Sequence, residues 1–266
     1  MRTLSQLWIY PIKSLGGIQV HSWPAEQKGF RFDRRWMIVD KKGAFMTQRT
    51  HPLMALFKLS WNPGHFDVTF QGHTLKLDIQ PDPVSADEST KIWDDGVDVR
   101  EVSRDHSAWF SEMMKSPCRL MFFPERNLRP VESRFRVNNE QVSLADAFPY
   151  LVIGQSSLDE LNSRLEHPVP MNRFRPNIVF TGGTPYEEDT WKNFTVGDNL
   201  FSGTKPCSRC IMITTDQDTA KRSAEPLKTL ARYRNRNNKT YFGQNAIALR
   251  AGEIKVGDTI SIQSYL

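Results

Sequence analysis

Val196-Gly197-Asp198 is echoed by Val256-Gly257-Asp258, and each triplet reads as a glycine-containing turn ahead of a strand. Two such turns point to a β-barrel or a related closed sheet. They are too few for a repeat architecture. Outward from them, strand signals dominate. Residues 4–10 are apolar-rich and end at Pro11, and residues 36–40, a Lys41-Lys42-Gly43 turn and residues 44–47 read as a hairpin. Residues 56–61 and 66–70 follow, and Leu75-Lys76-Leu77-Asp78-Ile79 alternates at period 2. Pro81-Asp82-Pro83 reads as a loop; residues 97–102, 118–123, 150–153 and 177–180 read as further strands.

Helical signals are fewer. Ser103 is placed to cap a helix whose apolar residues Trp109, Phe110, Met113 and Met114 recur at helical spacing until Pro117 stops it. Those side chains fit a core better than a cofactor contact. Ser157-Leu158-Asp159-Glu160 has the form of a capping box, with Leu158, Leu161 and Leu165 on one face and His167-Pro168 as the end. Residues 225–234 are weakly helical. The class is mainly β, or α+β.

At 266 residues, two domains or one large β-rich unit are expected, and 39% hydrophobic residues with 16 Phe and 7 Trp suffice for a core. The first residues run into a strand pattern without an apolar leader, and no stretch of about 18 apolar residues occurs. Three cysteines do not make a disulfide framework. The expectation is a soluble, cytoplasmic protein with no membrane association. Net charge is +5 and the pI about 9.1, with basic clusters at Arg126, Arg129, Arg134 and Arg136 and at Arg232, Arg234, Arg236 and Lys239. Solvated surface is one reading of these and an anionic ligand another. No zinc-finger spacing, RNP signature or helix-turn-helix supports a specific nucleic-acid target.

The densest chemistry lies at Lys205-Pro206-Cys207-Ser208-Arg209-Cys210, followed by Ile211-Met212-Ile213. The pattern predicts a thiol pair in a tight turn feeding a strand, with a guanidinium between the sulfurs. A soft thiolate beside fixed positive charge suits metal binding or redox work. Structural zinc needs four ligands, yet Cys118 and His167 are the nearest further candidates. Thioredoxin-like chemistry wants a helix after the pair, and a four-cysteine iron–sulfur cluster exceeds the three thiols present. What remains is one thiolate on a metal whose other ligands come from an organic cofactor. Anion-gripping candidates exist: Lys13 and Ser14 before Gly16-Gly17, the Arg31-Phe32-Asp33-Arg34-Arg35 cluster, and Phe174-Arg175-Pro176-Asn177 at the mouth of a strand. In the second, Asp33 can simply neutralise its neighbour.

Taken in order, Tyr10-Pro11-Ile12-Lys13-Ser14, Asp33-Arg34, Phe174-Arg175-Pro176-Asn177, the Cys207–Cys210 segment and Phe242-Gly243-Gln244-Asn245 resemble MOSC-domain proteins with an N-terminal MOSC β-barrel domain. The branch is that of the molybdenum enzymes of the mitochondrial amidoxime-reducing component type and their bacterial counterparts, and the resemblance spans essentially the whole chain. It implies an N-terminal β-barrel-like domain over residues 1–118 and a MOSC β-barrel domain over 119–266, with a few short helices. It also implies a molybdenum cofactor (Mo-molybdopterin), with Cys210 as catalytic residue and molybdenum ligand. Lys13, Ser14, Arg34, Arg175 and Asn177 would hold the pterin and its phosphate, and Arg209 would contact the cofactor. Asp146, in Asp146-Ala147-Phe148-Pro149, matches a family Asp-x-x-Pro segment; Cys207 has no clear role beyond a buried small side chain.

The implied activity is reduction of N-hydroxylated compounds such as amidoximes, hydroxylamines and N-hydroxylated bases. Some bacterial relatives carry a C-terminal plant-type [2Fe–2S] domain, whose cluster the three cysteines of this sequence cannot support. Electrons are therefore expected from a separate protein such as a flavoprotein or ferredoxin. A different class of reading is a cofactor or sulfur carrier with a persulfide on Cys210. A third is a nucleic-acid binder using the arginine clusters, which steeply salt-dependent binding would betray.

Overall fold

The computed structural model describes residues 1–82 and 85–266. The expected loop at residues 81–83 therefore falls partly outside the described residues. Among the described residues the structure is mostly β, 43% strand, and its centre is a closed seven-stranded barrel. Around the barrel run Tyr150–Gly154, Ile178–Thr181, Arg2–Ile9, Thr259–Tyr265, Trp191–Val196, Asn199–Arg209 and Lys239–Arg250, the last pairing back with Tyr150–Gly154. Closure leaves these strands no free edge. The two echoed turns sit side by side at one end: Gly197 N–H donates to the Thr259 carbonyl at 3.0 Å. A β-carbon on Gly197, whose φ is +54°, would stand 3.0 Å from the Asp258 carboxylate. The echo therefore marks two adjacent turns of one barrel.

Aromatic side chains fill the barrel. Phe180, Trp191, Phe194 and Phe201 are buried to 0% exposure and stack in sequence, with centroids 4.6, 5.2 and 5.6 Å apart. Each such side chain contributes about 1.5–3 kcal/mol by leaving water.

The first half adds a three-stranded meander, Lys58–Asn62, His65–Phe70 and His73–Asp78. It also adds a four-stranded sheet ordered Trp36–Asp40, Cys118–Phe122, Asp95–Glu101, Glu88–Ile92. The helix Arg104–Met113 is capped as expected, Ser103 Oγ accepting from His106 N–H at 3.1 Å, with Phe110 buried in the core. No described helix is long and apolar enough to cross a membrane.

Several expectations change. The hairpin after Trp36–Asp40 is present but short. Residues 44–47 pair through the Val39 to Phe45 bridge and through Asp40 N–H to the Ala44 carbonyl at 2.9 Å and Met46 N–H to the Ile38 carbonyl at 2.8 Å, while the other edge of the strand pairs with Cys118–Phe122. The capping box does not cap. The helix runs Gln155–Asn162 from Gly154, ending before His167, and Ser157 Oγ turns inward to the Glu188 carboxylate at 2.9 Å. Cys207 lies within the strand Asn199–Arg209, and Cys210 starts a 3₁₀ turn over Ile211–Thr214. The strand thus precedes the thiols rather than following them. Strand pairing also crosses the 118/119 division: Arg2–Ile9 lies between Ile178–Thr181 and Thr259–Tyr265. One core runs from Leu4 through Phe66 and Phe110 to Tyr150 and Trp191.

Candidate active site

The bend after Arg2–Ile9 carries Lys13 and Ser14, and the turn before Trp36–Asp40 carries Arg34. The Ile178–Thr181 strand is preceded by Arg175 and Asn177, and Asn199–Arg209 ends at Arg209 with Cys210 next. Barrel closure gathers these ends, and Asp146 joins them from the connection before Tyr150–Gly154. All eight residues singled out from sequence (Lys13, Ser14, Arg34, Asp146, Arg175, Asn177, Arg209 and Cys210) line one cavity of about 340 Å³. Residues distant in sequence meet there because both halves of the chain build its wall.

Its electrostatics are lopsided. Lys13, Arg34, Arg49, Arg173, Arg175 and Arg209 line it against Asp146 alone among acids. Lys13 is 5% exposed, and its ammonium donates to the Leu144 carbonyl at 2.8 Å and to Asp146 Oδ1 at 2.6 Å. Burial pulls Lys13 below its ordinary value, with Asp146 opposing. Burial would push Asp146 up, but Lys13 and Arg49 outweigh it and hold the carboxylate well below its usual range. Arg34 pairs with Asp33, as the neutralising reading expected, and Arg173 pairs with Asp216 at 2.8 Å. Arg175 and Arg209 form no salt bridge among the described residues; they donate to the carbonyls of Leu15 at 2.6 Å and Phe174 at 2.5 Å. Burial, with Arg34 nearby, pulls Arg175 down to about 10, still charged at neutral pH.

The sulfurs are treated differently. Arg209 Nη1 lies 3.1 Å from Cys207 Sγ, so the guanidinium between the cysteines serves the first of them. The cation at Cys210 is Arg49, which sequence reading passed over. Its Nε donates to Cys210 Sγ at 3.3 Å and its Nη2 to Asp146 Oδ2 at 2.9 Å, while its plane lies 4.5 Å from the Trp93 ring. Arg49 Nη1 and Arg173 Nε are buried donors without an acceptor. Unspent donors, two guanidiniums without salt bridges and a thiol on the wall fit a ligand that is anionic, rich in acceptors and bound through sulfur.

Residues 1–117 match the MOSC N-terminal beta barrel domain and residues 139–261 the MOSC domain. Over 97% of its length the chain is 34% identical to mitochondrial amidoxime-reducing component 1 of Mus musculus, covering 81% of that protein. The human protein of the same name matches at 34% identity, with 82% of it covered. The chain belongs to the MOSC-domain family. A molybdenum cofactor sulfurase of Oryza sativa is also similar, at 30% identity over 97% of this MOSC protein but only 34% of the sulfurase.

Within this MOSC protein, backbone conformation marks the cavity as well. Ser14, Arg34, Trp93 and Arg175 line it and hold φ of +67°, +51°, +57° and +57°. Left-handed backbone costs a non-glycine residue about 1–3 kcal/mol, and such residues gather where a site dictates side-chain direction. Asn177 is 1% exposed and its amide is committed: Oδ1 accepts from Arg34 at 3.1 Å and from Leu151 N–H, and Nδ2 donates to the Trp8 carbonyl. It positions Arg34. Of the residues missed, Trp93 carried a signal, a large aromatic beside the Asp94-Asp95-Gly96 turn. Arg49 and Arg173 carried none, since their partners Cys210, Asp146 and Asp216 lie far along the chain.

Proposed function

We propose that this protein is a molybdenum-cofactor-dependent oxidoreductase that reduces N-hydroxylated compounds such as amidoximes, with electrons from a separate redox protein. The reading is carried by one observation: the Cys210 thiol stands on the wall of a cavity lined by six cations and one carboxylate, within reach of Arg49. The names of the relatives support the same direction. When bound, the cofactor would supply two-electron redox chemistry at molybdenum.

Everything else falls to this chain's own residues. Cys210 would provide the protein's sulfur ligand, a soft donor suited to a sulfur-rich site. Arg175 and Arg209, which form no salt bridge among the described residues, would hold the cofactor's anionic groups, with Lys13, Ser14 and Arg34 flanking them and Asn177 fixing Arg34. No cluster of three His, Cys, Asp or Glu side chains able to hold a metal occurs among the described residues, so the remaining ligands would belong to the cofactor. Asp146, anionic between Lys13 and Arg49, would keep Arg49 oriented at the thiol.

Metal and pterin analysis of the purified protein, followed by amidoxime reduction with a small artificial donor, tests this. We expect molybdenum and pterin in near-equal amounts and turnover that Cys210→Ala and Cys210→Ser abolish without changing the unfolding temperature. Full turnover by a molybdenum-loaded Cys210→Ala variant would refute the assignment, and stoichiometric zinc would refute the class. The similarity to a molybdenum cofactor sulfurase favours a second reading, a carrier of cofactor or of sulfur on Cys210. It expects bound pterin with no turnover of any N-hydroxylated substrate.

A further inference from the structure

The segment joining the strands Asn199–Arg209 and Lys239–Arg250 leaves the barrel at Cys210 and rejoins it where Thr240 pairs with Arg209. Both its ends therefore stand at the candidate thiol ligand. Residues 221–239 of this excursion hold seven Lys and Arg against one Glu. That surplus of six exceeds the +5 of the whole chain, so the remainder is slightly acidic.

Lys221, Arg222, Lys228, Arg232, Arg236 and Lys239 are exposed. Among the described residues, the one ion pair made by this stretch is Arg234 with Asp189. The other basic cluster behaves differently: Arg126, Arg129 and Arg134 pair with Asp87, Asp95 and Glu132. Unneutralised charge is thus concentrated on the excursion. It is also tied to the site, because Arg222 Nη2 donates to the Gln48 carbonyl and, at 2.7 Å, to the Arg49 carbonyl. Beside the charges, Trp93 and Ile211 present apolar surface, 48% and 45% exposed, at the cavity and next to Cys210.

We propose that this face docks an acidic electron-carrier protein that delivers electrons to the cavity beside Cys210. The inference rests on the reductase reading. For each N–OH reduced, two electrons are delivered, in successive one-electron encounters where the carrier is a ferredoxin. The carrier is oxidised accordingly and two protons are taken up. The N–O bond breaks, an N–H bond forms and the oxygen leaves as water. Exposed apolar side chains beside a cationic stretch suit a protein surface, in which the charges set encounter rate and salt dependence. A uniform nucleic-acid backbone would make no use of Trp93 and Ile211.

The test compares wild type with a Lys228→Gln, Arg232→Gln, Lys239→Gln variant. Binding to an acidic [2Fe–2S] ferredoxin and to an acidic flavodoxin is measured directly, and amidoxime reduction is followed with each reduced carrier and with reduced viologen, a small cationic donor. We expect wild type to bind at least one carrier with an affinity that falls as salt rises. In the variant, Kd and the KM for that carrier should rise about tenfold and the salt dependence flatten, with viologen turnover unchanged. If wild type turns over with viologen but binds neither carrier, or binds one with a salt dependence the variant keeps, the docking face is wrong and the reductase reading survives. If a carrier binds through the patch and no donor supports turnover, the reductase reading fails and the carrier-binding face stands without its electron-delivery role. Steeply salt-dependent binding to duplex DNA, with no carrier bound, would reassign the face to nucleic acid.

Discussion

Arg49 illustrates how much one side chain can organise. Its planar fork reaches a sulfur and a carboxylate at once while Trp93 covers it, a combination an ammonium cannot reproduce. On the proposed reductase reading, Arg49→Lys should therefore keep the fold and the metal content but lower turnover with a small donor about tenfold, equivalent to about 1.4 kcal/mol. Turnover equal to wild type would take Arg49 out of the site's working parts. Asp146→Ala acts on stability instead, since it leaves the Lys13 ammonium with the Leu144 carbonyl as its remaining partner. Removing one member of a fully buried pair costs about 3–5 kcal/mol. Asp146 is 49% exposed, so about 2 kcal/mol is expected, read as a lower denaturant midpoint.

At the scale of elements, the 3₁₀ turn Glu187–Thr190 pins the helix Gln155–Asn162. Glu188 is buried, accepting from Gly154 N–H at 3.1 Å and from Ser157 Oγ at 2.9 Å. Burial raises its carboxyl from 4.5 to about 7. The folded state thus binds the proton more tightly than the unfolded chain. This contribution is complete below about pH 4.5 and is lost as pH rises through about 7, a difference of about 3 kcal/mol. Unfolding free energy measured from pH 5 to 7.5 should decline through this group, and the decline should disappear in Glu188→Gln. An unchanged slope in that variant would assign it elsewhere.

The same element shows where sequence reading stops. Residues 73–78 alternate because one face is buried, so periodicity reports the strand directly. Ser157 to Glu160 satisfies a local capping pattern, but the hydroxyl is claimed by Glu188 from another element. The eight proposed site residues could be named because each sits in a short motif, and the ordered motifs together carry the family resemblance. Arg49 was not, since what distinguishes it is contact with Cys210 and Asp146, which folding alone brings near.

For the molecule as a whole, hydrogen bonds join the two sides of the 118/119 division. Without Arg2–Ile9, residues 119–266 would leave Ile178–Thr181 and Thr259–Tyr265 facing a gap in the barrel. That fragment should show no cooperative unfolding transition, whereas the full chain should unfold in one step at the barrel. A cooperative transition in the isolated fragment would show that the first strand is dispensable. The cavity follows the same logic, since Lys13, Arg34 and Arg49 come from one half and Arg175, Arg209 and Cys210 from the other.

The place of Arg2–Ile9 between two late strands also fixes an order of events during synthesis. The first strand made must wait for Ile178–Thr181 and then for Thr259–Tyr265 before both its edges are covered, a long-range closure of the kind that folds slowly. Until then a nascent chain carries Lys13 and Arg34 with no wall opposite them. A cofactor held by both walls would therefore have to reach a chain whose last strand is already made.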